Sequence, residues 1–141
     1  MTRTGRWVAG LVALALAGGG IALAAPLLGG GSDRCEAVLS RTIGAVEGVT
    51  QVAVECSNQF GGGWQRQQVQ LAASSPAEAY PIVERVLKAL AAEPEVEAAW
   101  STPQVYRLTD GATLSSLADL GFNGSPSVGQ VRDHYGIEPV R

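Results

Sequence analysis

Sulfur, histidine and positive charge are all scarce in this chain. Two cysteines, one methionine and one histidine occur in 141 residues, and that poverty removes whole classes of chemistry. A soft-metal centre needs several thiolates or imidazoles around one ion. Cys35, Cys56 and His134 do not make such a set, no Cys-x-x-Cys pair exists, and no cofactor is expected. Lysines and arginines number 10 against 13 acids, a formal net charge of −3. An acidic chain repels nucleic acid and anionic headgroups, so no nucleic-acid partner is expected. The one lysine, Lys88, beside abundant alanine and glycine fits a GC-rich bacterial genome.

What the chain does have is one long apolar run. Residues 7–28 are almost unbroken in apolarity and follow a short basic start with Arg3 and Arg6. A helix of about 20 apolar residues spans the hydrocarbon core, with arginines held on the inner side. Two readings stay open. A signal peptide would use 8–17 as its apolar core, break at glycines 18–20 and be cleaved after Ala22, Leu23 and Ala24, ahead of Ala25. An uncleaved anchor would use the whole run to Leu28, since glycines are tolerated in lipid. Lipid attachment at Cys35 is not expected, because Ser32, Asp33 and Arg34 precede it where apolar and small residues are needed. The expected organisation is a signal peptide or membrane anchor over 1–28, a flexible linker over 29–32 and one extracytoplasmic domain over 33–141. Loss of residues 1–24 removes Arg3, Arg6 and no acid, which leaves eight basic residues against 13 acids and a net charge of −5. About 110 residues suffice for one core but not two.

Hydrophobic periodicity orders the domain as helix, strand, strand, helix, strand, strand. Ser32 or Asp33 can cap a first helix carrying Cys35, Leu39, Ile43 and Val46, which Gly48 closes. Val52, Val54 and Cys56 alternate, residues 58–63 read as a turn, and Val69, Leu71 and Ala73 resume a period of two, so a hairpin is expected. Ser75, Pro76 and Glu78 form a capping box with proline at the first helical position. Ala79, Ile82, Val83, Val86, Leu87 and Leu90 follow as an apolar stripe, with Pro81 deep enough to bend the helix. Val96, Ala98 and Trp100 alternate as a further strand, and 105–108 continue it after Pro103 or form a separate one. A short helix near 114–120 and another opened by Ser125 and Pro126, ending at Gly136, complete the tail. The fold class is α+β: a ferredoxin-like, split α-β-β-α-β antiparallel sheet with helices on one face and a short helical C-terminal tail.

The cysteines give a sharper inference. A helix running out along 35–46 and a strand returning along 49–56 bring the helix start beside the strand end. Both thiols fall on core-facing positions, and an extracytoplasmic site is oxidising, so a Cys35–Cys56 disulfide is expected. Closing that loop stabilises the fold by about 3 kcal/mol under the chain-entropy model.

Candidates for catalysis have ordinary explanations nearby. His134 adjoins Asp133 and Tyr135 near a helix end, where a surface or capping role suffices. Ser127 lies near Gly124 and Gly129 without nucleophile-elbow spacing, in the first turn of a helix. Glu93, Glu95 and Glu97 could bind a hard cation, yet three acids around Pro94 more often form a solvated turn. Neither an enzyme nor a metal site is expected.

The hairpin invites a binding hypothesis. If Val69 and Leu71 face the helices, parity turns Trp64, Arg66, Gln68 and Gln70 to the other side, joined by Gln51, Ala53 and Glu55. With Phe60 from the turn, these form the candidate binding face: Phe60, Trp64, Arg66, Gln68 and Gln70. The competing expectation has a bulge at the glycines turning Trp64 inward to cap the core. The glutamines at 65, 67, 68 and 70 can be read as a solvated strand. In topology alone, the hairpin and following helix resemble BON-like and heavy-metal-associated modules, and no residue is carried over. The function expected is a non-catalytic protein-interaction or assembly module of the cell envelope, tethered to the membrane by its N-terminal helix or secreted after cleavage near Ala24. Its partner would be another envelope protein. The alternative is an exported small-ligand or lipid binder with Tyr106, Trp100 and Tyr135 as cleft walls.

Overall fold

A computed structural model describes residues 31–57 and 63–140. The apolar leader and Phe60 lie outside the described residues. Among those described, no helix is long and apolar enough to cross a membrane.

Helix α1 (Gly31–Gly44) opens with Asp33 in its first turn and closes with Arg41 in its last, each sign matched to the helix dipole. It begins within the expected linker, whose Gly31 and Ser32 are helical. Cys35, Val38, Leu39 and Ile43 form its buried stripe. Val46 lies past the helix end but still packs against the core. The turn at Gly48 has φ +96°, and a Cβ there would sit 2.8 Å from Ile82, so this closure requires glycine.

Strands β1 (Val49–Ser57) and β2 (Trp64–Leu71) pair antiparallel, from Val49 opposite Leu71 to Ser57 opposite Trp64. Val69 and Leu71 are buried, as the period of two requires. Helix α2 (Pro76–Ala92) starts where expected: Ser75 Oγ accepts the Glu78 N–H at 3.3 Å, with Pro76 at the first helical position. All six residues of its anticipated stripe are buried, and Pro81 lies inside the helix without ending it.

The sheet departs from expectation at its third strand. β3 (Val105–Arg107) pairs parallel to β2, so the three-stranded sheet is mixed, in the order β1-β2-β3, and not antiparallel. The cause lies in the connection. A helical crossover between two neighbouring strands returns the chain to the same end of the sheet, which makes the pair parallel. The element order is nevertheless the expected α-β-β-α-β of an α+β domain.

The strand expected at Val96, Ala98 and Trp100 is instead a succession of turns, bonded from Val96 N–H to Glu93 O at 3.2 Å and from Trp100 N–H to Glu97 O at 3.0 Å. Three alternating residues fit a turn as well as a strand, and Val96 is buried in the core without belonging to the sheet. The helix expected near 114–120 is reduced to a single 3-10 turn, Ala118–Leu120, ended by Gly121 at φ +91°. The last helix, α3 (Val128–Tyr135), is capped by Ser127 and stopped by Gly136 at φ +64°.

Two links hold these parts together. Cys35 and Cys56 are disulfide-bonded with a Cα–Cα distance of 6.2 Å, joining the start of α1 to the end of β1. Arg132 of α3 donates to the carbonyls of Ala91 at 2.9 Å, Glu93 at 3.1 Å and Val96 at 2.7 Å. No basic residue lies in the last turn of α2, so this arginine satisfies the carbonyl end of α2 from outside.

Candidate functional site

Alternation along β2 separates two sets of side chains. Gln67, Val69 and Leu71 are buried toward the helices, whereas Trp64, Arg66, Gln68 and Gln70 are exposed on the opposite face. Trp64 is 41% exposed, so it does not cap the core. Gln51, Ala53 and Glu55 of β1 extend this face on one side, and Val105 and Arg107 of β3, opposite Gln68 and Gln70, extend it on the other. Four of the five candidate residues therefore share one surface, and Phe60 lies outside the described residues.

At its hairpin end the Arg66 guanidinium sits 5.1 Å from the Trp64 ring centroid and 3.3 Å from Glu55 Oε2. The carboxylate pairs with the guanidinium and the ring gives it a flat support, so the three residues form one amphipathic group. Beside it lies an open groove of about 470 Å³, lined by Trp64, Gln65, Arg66, Gln67, Gln68, Gln104 and Val105.

The groove floor depends on Ser101, Thr102 and Gln104, which sequence reasoning did not single out, and on Gln65 and Gln67, which are bonded inside the molecule and not solvated as the strand reading had it. Pro103 has no N–H, and side-chain amides take over the pairing it interrupts. Gln104 accepts the Gln67 N–H on Oε1 at 2.8 Å, and its N–H donates to Gln67 O at 3.3 Å. Its Nε2 donates to Gln65 O at 3.2 Å and Thr102 O at 2.8 Å. Gln65 Oε1 accepts the Ser101 N–H at 2.9 Å, and Gln67 Nε2 donates to Ser101 O at 2.6 Å. Half of the glutamine cluster thus works inside the molecule, latching residues 101–104 to β2. Gln67 is fully buried, and its Oε1 has no hydrogen-bond partner among the described residues.

The other candidates are dispersed. Tyr106 is buried, its hydroxyl has no hydrogen-bond partner among the described residues, and burial pushes the phenol well above its ordinary pKa. It borders a cavity of about 90 Å³ that neither Trp100 nor Tyr135 lines. Tyr135 instead contacts His134 at 4.7 Å and Phe122 at 6.1 Å between ring centroids, with Lys88 Nζ 4.9 Å from its own. His134 also stacks on Phe122 at 4.5 Å.

Ser127 is occupied as a helix cap, accepting the Gln130 N–H on Oγ at 3.2 Å while its own N–H donates to Gln130 Oε1 at 2.9 Å. The acids around Pro94 lie in turns, where Glu93 pairs with Arg41 at 3.9 Å and Glu95 pairs with Arg41 at 3.5 Å and Arg34 at 3.9 Å. Among the described residues, no group of three potential ligands could hold a metal ion.

Set against family models, curated proteins and solved structures, the chain matches none of them.

Proposed function

We propose that this chain is a cell-envelope protein, anchored by its N-terminal apolar segment or secreted after cleavage near Ala24, whose disulfide-stapled domain docks onto another envelope protein without catalysing a reaction. The observation that carries the reading is the exposed Trp64, stacked with Arg66 on the open face of the sheet. Tryptophan and arginine are the side chains most enriched among residues that dominate binding energy at interfaces. Pairing with Glu55 and the Trp64 ring favours one orientation of Arg66 on this face, and side chains already oriented cost less to bind. Further along the same face Gln68 and Gln70 offer amide donors and acceptors suited to the polar part of an interface. The Cys35–Cys56 bond supports the extracytoplasmic placement, because such bonds persist in oxidising compartments.

The small-ligand alternative has less behind it. Its three aromatic walls are apart, and the cavity beside Tyr106, about 90 Å³, falls below the roughly 300–1,000 Å³ of sites that enclose drug-sized ligands.

Site-specific photo-crosslinking in the producing cell tests the docking reading. A photoreactive residue replacing Gln68 should give a discrete adduct of defined mass, and the Trp64→Ala substitution should remove it. The same residue replacing Gln130, on α3, should give none. Equal adducts from both positions, or none from Gln68, would refute the reading.

A further inference from the structure

β1 forms one edge of the sheet, and its ladder shows which backbone groups point away from β2. The Cys56 N–H is turned from β2 and donates to Glu36 Oε1 at 3.1 Å. Gln67, which stands opposite Val54, directs its N–H and C=O toward Gln104 on its other side, at 2.8 and 3.3 Å. Residues bonded inward and outward alternate along an antiparallel pair. The register runs unbroken from Gln51 to Ser57. Gln51, Ala53 and Glu55 therefore bond to β2, and Val52 and Val54 hold their N–H and C=O groups out along the edge.

Sheet edges are ordinarily blunted by lysine, proline, a central bulge or a covering element. β1 has no lysine or proline, and its one irregularity lies at the Val49 end, between Val49 and Gln51. Its only charge, Glu55, is already paired with Arg66 at 3.3 Å. Val52 and Val54 are only half-buried, and among the described residues their outward backbone groups have no partner, so apolar surface and open ladder positions lie side by side.

We propose that β1 pairs antiparallel with β1 of a second copy of this chain, about a two-fold axis at Ala53. The strand's own side chains single out this occupant and this register. Val52 stands opposite Val54 of the second copy, so four outward backbone groups on each strand are used at once and the exposed valine surfaces meet. Gln51 stands opposite Glu55 of the second copy, an amide donor beside a carboxylate, and no like charges face each other. Alanine, the smallest side chain of the strand, occupies the close, non-hydrogen-bonded pair on the axis. The pairing stops by itself, because Cys56 would meet Thr50, where Glu36 already holds the Cys56 N–H and the strand is irregular.

An isologous contact of this kind closes as a dimer. The opposite sheet edge, β3, spans three residues, and its Arg107 is bridged to Thr113, so it offers little for a further copy. The result is a six-stranded sheet with both Trp64 side chains on the same open side. The edge pairing goes beyond docking through Trp64 and does not depend on it.

The test is disulfide trapping in the full chain, purified in mild detergent. Residues paired on the axis have Cα atoms about 4.5 Å apart, within disulfide reach. Ala53→Cys should give a covalent dimer on a non-reducing gel. Gln51→Cys, whose equivalent in the second copy lies about four residues away along the strand, should not, yet a mixture of Gln51→Cys and Glu55→Cys chains should. Val54→Pro removes an outward N–H and no β1–β2 bond, and should lower the Ala53→Cys dimer at least tenfold. A monomeric Ala53→Cys chain, equal trapping by Gln51→Cys alone, or a dimer unaffected by Val54→Pro would each overturn the proposal. The photo-crosslink from Gln68 reads the other surface, so either result can fail alone.

Discussion

Reducing the Cys35–Cys56 bond should cost this domain a large share of its stability, and the geometry sets how much. The bond links positions 21 residues apart. Releasing a loop of that length returns about 11 cal/mol/K of chain entropy to the unfolded state, or about 3 kcal/mol at room temperature. Reduction leaves both sulfur atoms in place, so it isolates the tether from packing. Replacing both residues by alanine also removes sulfur from positions only 3% and 7% exposed. That change should add about 1 to 2 kcal/mol for cavities at the α1–β1 contact.

Circular dichroism of the helices through a urea titration, with and without reductant, measures the difference. For a domain of this size the slope is about 1 to 1.5 kcal/mol/M, so reduction should lower the midpoint by about 2 to 3 M. A drop smaller than about 0.5 M on complete reduction would show that the unfolded chain is not constrained by this link, and the reasoning would fail. An alanine pair no worse than reduction would refute the packing contribution instead.

Arg132→Met keeps the aliphatic stem but strips the donors from the carbonyls of Ala91, Glu93 and Val96, so it should cost about 2 to 3 kcal/mol, and a loss under about 0.5 kcal/mol in the same titration would contradict the capping role. Gln104→Ala leaves the Gln67 N–H without its acceptor at 2.8 Å and should cost about 1 to 2 kcal/mol. Amide exchange should then speed up at Gln67 and in β3 while α2 stays protected, whereas unchanged rates at Gln67 would argue against the latch. Glu78 has its carboxyl held below the ordinary value near 4.5, first by the Ser74 N–H and then by the Ser74 hydroxyl. A depressed folded pKa means that the stabilisation is present above the unfolded value and is lost as pH falls through the folded one. Stability should therefore decline below about pH 4.5 less steeply in Glu78→Gln than in the parent, and parallel acid limbs in thermal melts would refute the assignment.

Much of the domain was legible because its signals are local. Periodicity marked the stripe of α2, and Ser75 and Pro76 marked its start. Parity with Val69 and Leu71 allowed an outward Trp64, but a bulge at the glycines would have turned it inward, and the sequence left both open until the fold exposed it. The disulfide followed from the reach of a helix and a returning strand. What could not be read depends on distant partners. Val96, Ala98 and Trp100 alternate over too short a span to separate strand from turns, and the choice fell to Arg132, 36 residues on, which binds the Val96 carbonyl. The parallel direction of β3 was available from the helical crossover, but the hydrophobic pattern of three residues says nothing about it. Gln65 and Gln67 look like Gln68 and Gln70 in sequence, and only Ser101 and Gln104 across the groove distinguish a latch from a surface.

A protein partner docked on the Trp64 face, as proposed, would shield that ring in the cell. Hydroxyl-radical footprinting of the native chain on intact cells, compared with the purified full chain in detergent, tests it directly. Trp64 is exposed in the free domain and edge pairing leaves it so. Docking there should slow oxidation of Trp64 several-fold on cells and leave Tyr80 on α2 unchanged. Equal oxidation of Trp64 in both settings would contradict it.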